Sequence, residues 1–258
     1  MNEYIKHLLI RTPLEKPAKT LQSLLKYKQR LRHPELEEIY LESERIEQIM
    51  KREISNSSNC IDIGAHLGSM LSEILNLSPK GRHMAFEPTP QKARWLKQKF
   101  TGVDIKEIAL SDTTGKVSFY IDKYRSGFSG LRKHRKGDDL VTEVEVRCDR
   151  IDNVLDPEHK VDFMKIDVEG GELAVLRGAA NTLFKYHPLL LFECCRSGLS
   201  AFGFTSKQVF EFLTQHSYSI YLLKDFLADG RALSSEQFDR ALHYPFKGFN
   251  FIAKYSNR

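Results

Sequence analysis

Residues Asn59-Cys-Ile-Asp-Ile-Gly-Ala-His-Leu-Gly-Ser69 decide how the rest of the chain is read. Cys60 to Ile63 are β-branched or apolar apart from one carboxylate, as in a short buried strand. Gly64, Ala65 and Gly68 then leave room for a tight turn. From Ser69 to Leu77 the apolar residues Met70, Leu71, Ile74 and Leu75 fall at helical spacing. A strand that breaks through glycines into a helix suits a nucleotide-like ligand. Glycine lacks the Cβ that blocks close approach, and the helix start offers unpaired N–H groups. The same turn can also serve packing alone, so the assignment depends on the residues downstream of it.

Residues 82–86 read as a second strand ending in Glu87-Pro88. Thr89 is placed to cap the next helix, with Pro90 at its first position. A third strand is expected over 104–110, ending in Ser111-Asp112. This β-α-β-α-β order implies a parallel sheet covered on both faces. Residues 116–122 and 141–147 alternate instead like antiparallel strands, and read as a hairpin-like insertion. Between them lie Ser126, Ser129 and a basic run, 132–136, that includes His134. Loops of that length are often lids or binding segments. A fourth strand over 161–166 runs into Asp167-Val-Glu-Gly-Gly-Glu172, followed by a helix carrying Leu173, Leu176, Ala180 and Leu183. A fifth strand, 188–192, ends at Glu193. Thr205-Ser206 can cap another helix, and 218–223 and 248–254 close the sheet.

The chain has 258 residues, 41% hydrophobic and 28% charged, ordinary values for a globular protein. Its net charge of +5 is compatible with anionic substrates or a membrane surface, but too small to argue for nucleic acid. No run approaches the ~18 apolar residues of a membrane span, and no apolar leader opens the chain, so a cytoplasmic location is expected. Four cysteines without metal spacing read as reduced structural thiols. Two units are expected: an N-terminal helical extension, 1–55, and an α/β domain, 56–258. The extension opens with a basic stretch whose Leu21, Leu24, Leu25 and Leu31 form one narrow apolar face. A second helix is expected from Pro34 to about Ile54.

Four acids stand at expected strand ends: Glu87, Asp112, Asp167 and Glu193. In open α/β sheets ligands bind outside those ends. An acid after the second strand is placed to accept hydrogen bonds from ribose hydroxyls, in dinucleotide and methyl-donor sites alike. The glycines separate the two. Gly64-Ala-His-Leu-Gly68 lacks the middle glycine of a dinucleotide turn, which makes an NAD dehydrogenase the weakest rival, and Asp62 just before it suits a ligand carrying an ammonium group rather than phosphates. S-adenosylmethionine fits that description.

The blocks 61–68, 85–88 and 109–112, together with Lys165-Ile-Asp-Val-Glu-Gly-Gly-Glu172 and 175–179, closely resemble the FkbM-type S-adenosylmethionine-dependent methyltransferases. The resemblance spans about residues 35–254. It implies a class I, Rossmann-like methyltransferase fold with a seven-stranded, mostly parallel sheet whose last strand is antiparallel. It also implies O-methylation of a small-molecule hydroxyl on a sugar, glycolipid or natural product, with S-adenosylhomocysteine as by-product. By position, Gly64, Ala65, His66 and Gly68 would line the methionine part of the cofactor, with Asp62 near its amino group. Glu87 and Pro88 would serve the ribose, and Ala109, Leu110, Ser111 and Asp112 the adenine. His66 stands where the family often has Asn.

An aliphatic hydroxyl needs a base as its bond to carbon forms. Asp167 is the best-placed candidate, touching both cofactor and acceptor, with Glu169 and Glu193 behind it. Ser126, Ser129, His134 and Glu172 are the acceptor-side candidates. Clustered carboxylates could instead hold Mg²⁺, but no ligand spacing compels it and the metal-free reading is preferred. Nucleic-acid methylation and a non-catalytic scaffold are the rivals. The sequence is silent on the acceptor's identity and allows a homo-oligomer.

Overall fold

The computed structural model describes Thr12 and residues 30–122, 129–132 and 141–256. Most of the basic lead therefore lies outside the described residues, as do Ser126 and His134; Leu31 is exposed. Instead of one helix from Pro34, a 3₁₀ turn over Pro34–Leu36 leads to α1 (Glu37–Tyr40) and then α2 (Glu42–Glu53). At the junction Glu42 turns inward, and its Oε1 accepts from the N–H groups of Phe249 and Asn250 at 2.6 and 2.9 Å. Ile49 and Met50 of α2 are buried in one cluster with Cys60, Phe163 and Ile252 of the sheet. At ~1.5–3 kcal/mol for each such side chain, this face ties α2 firmly to the sheet.

The chain then runs through β1 (Cys60–Ile63), α3 (Ser69–Leu77), β2 (Met84–Phe86), α4 (Pro90–Lys99) and β3 (Asp104–Lys106). After β4 (Ala109–Leu110), β5 (Gly115–Asp122) and β6 (Val141–Asp149) come α5 (Ile151–Val154) and β7 (Phe163–Ile166). Next are α6 (Glu172–Gly178), α7 (Ala180–Tyr186), β8 (Leu189–Glu193), α8 (Arg196–Ala201) and α9 (Ser206–Gln215). The chain closes with β9 (Tyr218–Leu222), α10 (Leu223–Leu227), α11 (Ser235–Ala241) and β10 (Asn250–Tyr255).

Seven strands form the main sheet in the order β3-β2-β1-β7-β8-β10-β9. The first five are parallel, and β10 runs antiparallel between β8 and β9. This is the class I methyltransferase arrangement expected above. β1 and β7 lie at its centre, buried along their whole length, as strands covered on both faces must be. Among the described residues no helix is long and apolar enough to cross a membrane, and all four cysteines are free.

The expected third strand divides in two. Asp104–Lys106 pairs with β2, whereas Ala109–Leu110 pairs in parallel with β6 in a second, three-stranded sheet ordered β4-β6-β5. Ile108 and Leu110 join the main core while Ala109 faces the small sheet's core. The apolar pattern thus continues across the break and hides it. The hairpin is as expected, with Val117 opposite Val146 and Phe119 opposite Val144. The helix after β7 also divides, at Ala179. There Gly178 packs so closely that a Cβ would stand 2.1 Å from the Ser111 carbonyl oxygen.

Candidate active site

A cavity of about 330 Å³ opens at the carboxyl ends of β1, β2 and β7, in the size range of small-ligand sites. The turn after β1 forms its floor. The Gly64 and Ala65 N–H groups both donate to the Phe86 carbonyl at 3.0 Å, which binds the turn to β2. Gly64 has φ +75°, and a Cβ there would stand 1.8 Å from the Asp167 carbonyl oxygen. Gly68 has φ +85°, and its Cβ would meet the Phe100 ring at 2.3 Å. Contacts within the protein therefore demand both glycines, and Gly64 also lines the cavity.

At one end of the cavity Glu87 follows β2. Its Oε2 accepts from the His66 N–H and its Oε1 from the Thr89 N–H, both at 2.9 Å. Burial pushes its carboxyl up, opposed by Lys92 and by those hydrogen bonds. The expected Thr89 cap is not formed. Thr89 is the N-cap of α4 without a side-chain bond to the helix, and its N–H donates to Glu87 instead. The Thr205 cap is formed, as a capping box with Gln208.

At the other end stand Asp167 and Glu169, which line the cavity, and Glu193 at the end of β8. Oxygens of these three carboxylates lie within 4.8 Å of one another, a set of hard donors that a Mg²⁺ would also accept. Crowding shifts their protonation. Burial, then the charges of Asp167 and Glu172, push Glu169 up to about 8. Burial and the neighbouring carboxylates hold Glu193 well above the usual carboxylate range. Glu172 lies behind them, buried. Its Oε1 accepts from the Val168 and Gly170 N–H groups at 3.1 Å, its Oε2 has no partner, and burial raises it to about 7. Glu169 holds φ +59°, a strained conformation for a residue with a Cβ.

Of the residues singled out from sequence, Gly64, Ala65, His66, Glu87 and Pro88 line the cavity beside Ala109 and Leu110. Ser129 lines it from the hairpin, where its Oγ accepts from the Asp122 N–H at 3.2 Å. Asp62 does not line it. That carboxylate is wholly buried beneath Lys165, with Oδ1 3.3 Å from Nζ. Gly68, Ser111 and Asp112 also lie off the cavity. Asp112 instead faces Arg177 at 3.8 Å, because its strand belongs to the second sheet. Sequence reasoning missed Lys165, Lys92, Phe119 and Leu131, all in the lining. A lysine between Met164 and Ile166 inside the fourth strand was a readable anomaly; the other three carried no signal.

The pattern of the methyltransferase FkbM domain matches residues 62–220 of this chain. A curated relative, the 2-O-methyltransferase NoeI of Sinorhizobium fredii (strain NBRC 101917 / NGR234), is 28% identical over 144 residues. The match covers 48% of this chain and 58% of that protein, little over half its length. Among solved structures, the methyltransferase FkbM from Methylobacillus flagellatus KT superimposes with TM-score 0.48 and 18% identity, over 78% of this chain and 44% of that one. Precorrin-6y C5,15-methyltransferase from Geobacter metallireducens GS-15 gives 0.39 and 20%, over 69% and 71%.

Proposed function

Because the chain belongs to the FkbM methyltransferase family, we propose that it methylates a hydroxyl oxygen of a sugar, glycolipid or other natural-product acceptor. S-adenosylmethionine, the methyl donor the family implies, supplies a methyl group activated on a sulfonium. The residues present fit it. A buried carboxylate, Glu87, ends the second strand with lone pairs to spare for ribose hydroxyls, and apolar Ile63, Phe86, Ile108 and Leu110 wall the same cavity.

The observation that carries the reading is that Glu87 and the Asp167–Glu169 pair line one cavity from the carboxyl ends of different strands. A donor-binding acid and a proton-accepting acid then serve the same small volume, where alignment of reactants dominates rate. Asp167 is tied to Lys165 by a 3.3 Å ion pair, which suits it to orient. Glu169 receives the hydroxyl proton at a carboxylate oxygen. Its value of about 8 lies close to working pH, where a general base is most effective. That O-methylation is the outcome is supported by the 2-O-methyltransferase relative.

The test is calorimetric titration with S-adenosylhomocysteine and NAD, followed by a panel of hydroxylated acceptors assayed for methyl ether formation. Binding of the adenosyl ligand alone, then an O-methylated product, is expected. Methylation at nitrogen or carbon would overturn the acceptor class.

A further inference from the structure

Lys165 is the one charged residue of β7, between Met164 and Ile166 in the centre of the sheet. It lies in register with Asp62 of β1. Lysine is seldom buried unless paired, and this one is paired on every side. Nζ lies 3.3 Å from Asp62 Oδ1 and 3.3 Å from Asp167 Oδ2, and donates to the Gly64 carbonyl at 2.9 Å. The Ile63 carbonyl is a fourth acceptor at 3.4 Å. An ammonium has three protons to offer these groups. Burial opposes the charge, but Asp167 and Asp62 outweigh it and hold Lys165 above its ordinary range.

We infer that Lys165 is a positioning residue for the donor cavity, one ammonium group that locks the Gly64 turn and the Asp167 carboxylate into the arrangement the cofactor requires. The inference rests on the donor-site reading above. The turn and the end of β7 face each other where Gly64 has no side chain, and beyond the β1–β7 ladder the Asp167 N–H donates to the Ile63 carbonyl at 3.1 Å. Both Gly64 and Asp167 line the cavity. Release of the Gly64 carbonyl would let the turn rotate, and release of Asp167 would let its side chain leave the wall. A simpler role, as counter-ion to buried Asp62, makes a different demand: it ends when Asp62 loses its charge.

The experiment compares S-adenosylhomocysteine affinity, by calorimetry, and melting temperature in wild type, Lys165→Arg and the double variant Asp62→Asn/Lys165→Met. The double variant strands no buried charge. It is expected to fold yet bind ~30-fold more weakly, the worth of a charge-assisted hydrogen bond. Lys165→Arg, which keeps charge and donors, is expected to stay within about five-fold of wild type. Wild-type affinity in the double variant overturns the inference, leaving Lys165 a counter-ion. An arginine variant as weak as the double variant overturns it too, since the loss would then track shape rather than donated bonds. Should the double variant not fold, Asp62→Asn/Lys165→Leu takes its place on the same limits. A well-folded wild type that binds no adenosyl ligand overturns the donor-site reading, and this inference with it.

Discussion

The two ends of the cavity hold buried carboxylates in different electrostatic surroundings. Glu87 is held by the backbone: each oxygen accepts one N–H and keeps a further lone pair, and Lys92 is its main charged neighbour. Asp167, Glu169, Glu193 and Glu172 crowd together, and the last three are all raised by burial and by the charge of Asp167. The first arrangement is preorganised: burial raises its carboxyl, while Lys92 and its N–H donors favour the charged form. The second cannot be fully ionised and is poised to exchange one. A site that must hold a ligand still and also accept a proton needs both conditions, kept apart.

The sharpest way to break this contrast is Glu169→Gln, which keeps shape but cannot take a proton. A loss of ~10²–10⁴-fold in methyl transfer is expected, with little change in cofactor affinity. In wild type the rate should rise with pH and level above about 8, and the variant should lack that rise. Rates measured from pH 6 to 9 decide it; an unchanged profile would remove Glu169 as the base. At the other end, Glu87→Ala should weaken S-adenosylhomocysteine binding ~10–100-fold in calorimetry, through the loss of charged hydrogen-bond acceptors. Equal binding would remove Glu87 from the donor site.

A smaller effect concerns stability. Glu169 and Glu172 titrate near 8 and 7 in the folded protein, against an ordinary value of 4.5. Between about pH 4.5 and 8 the folded state therefore retains protons that the unfolded chain has released. Stability falls as pH rises through that window. The melting temperature of the ligand-free protein should decline from pH 5 to 8.5, less steeply in Glu169→Gln; a flat profile would mean that the crowding is relieved in solution. The smallest effect belongs to Thr89→Val. The hydroxyl it removes is buried and makes no capping bond, so stability should change by no more than ~1 kcal/mol by denaturant titration.

The same contrast shows what a linear reading can and cannot reach. Glu87, Asp167 and Glu193 were identified as strand-end acids, because apolar runs terminate visibly at a charge. Asp112 looked identical by that rule. It lies off the cavity because the chain changes sheets between Lys106 and Ala109 while side-chain alternation continues undisturbed. Asp62 and Asp167 were legible as acids, but their separation into a buried ion pair and a cavity wall was not. Which neighbour sits in register with Asp62 is settled by the pairing of β1 with β7, about a hundred residues apart in the chain.

Local chemistry was enough to specify the β-α order, the glycine turn and the antiparallel hairpin, and the resemblance of the motif blocks named the family. Periodicity and turn propensity act over a few residues and survive in any context. Sheet order, the division of the third strand, the failed Thr89 cap and the protonation of the acidic cluster were settled only in three dimensions. Each depends on which distant backbone donors and charges come within a few ångströms, and on how little water remains between them.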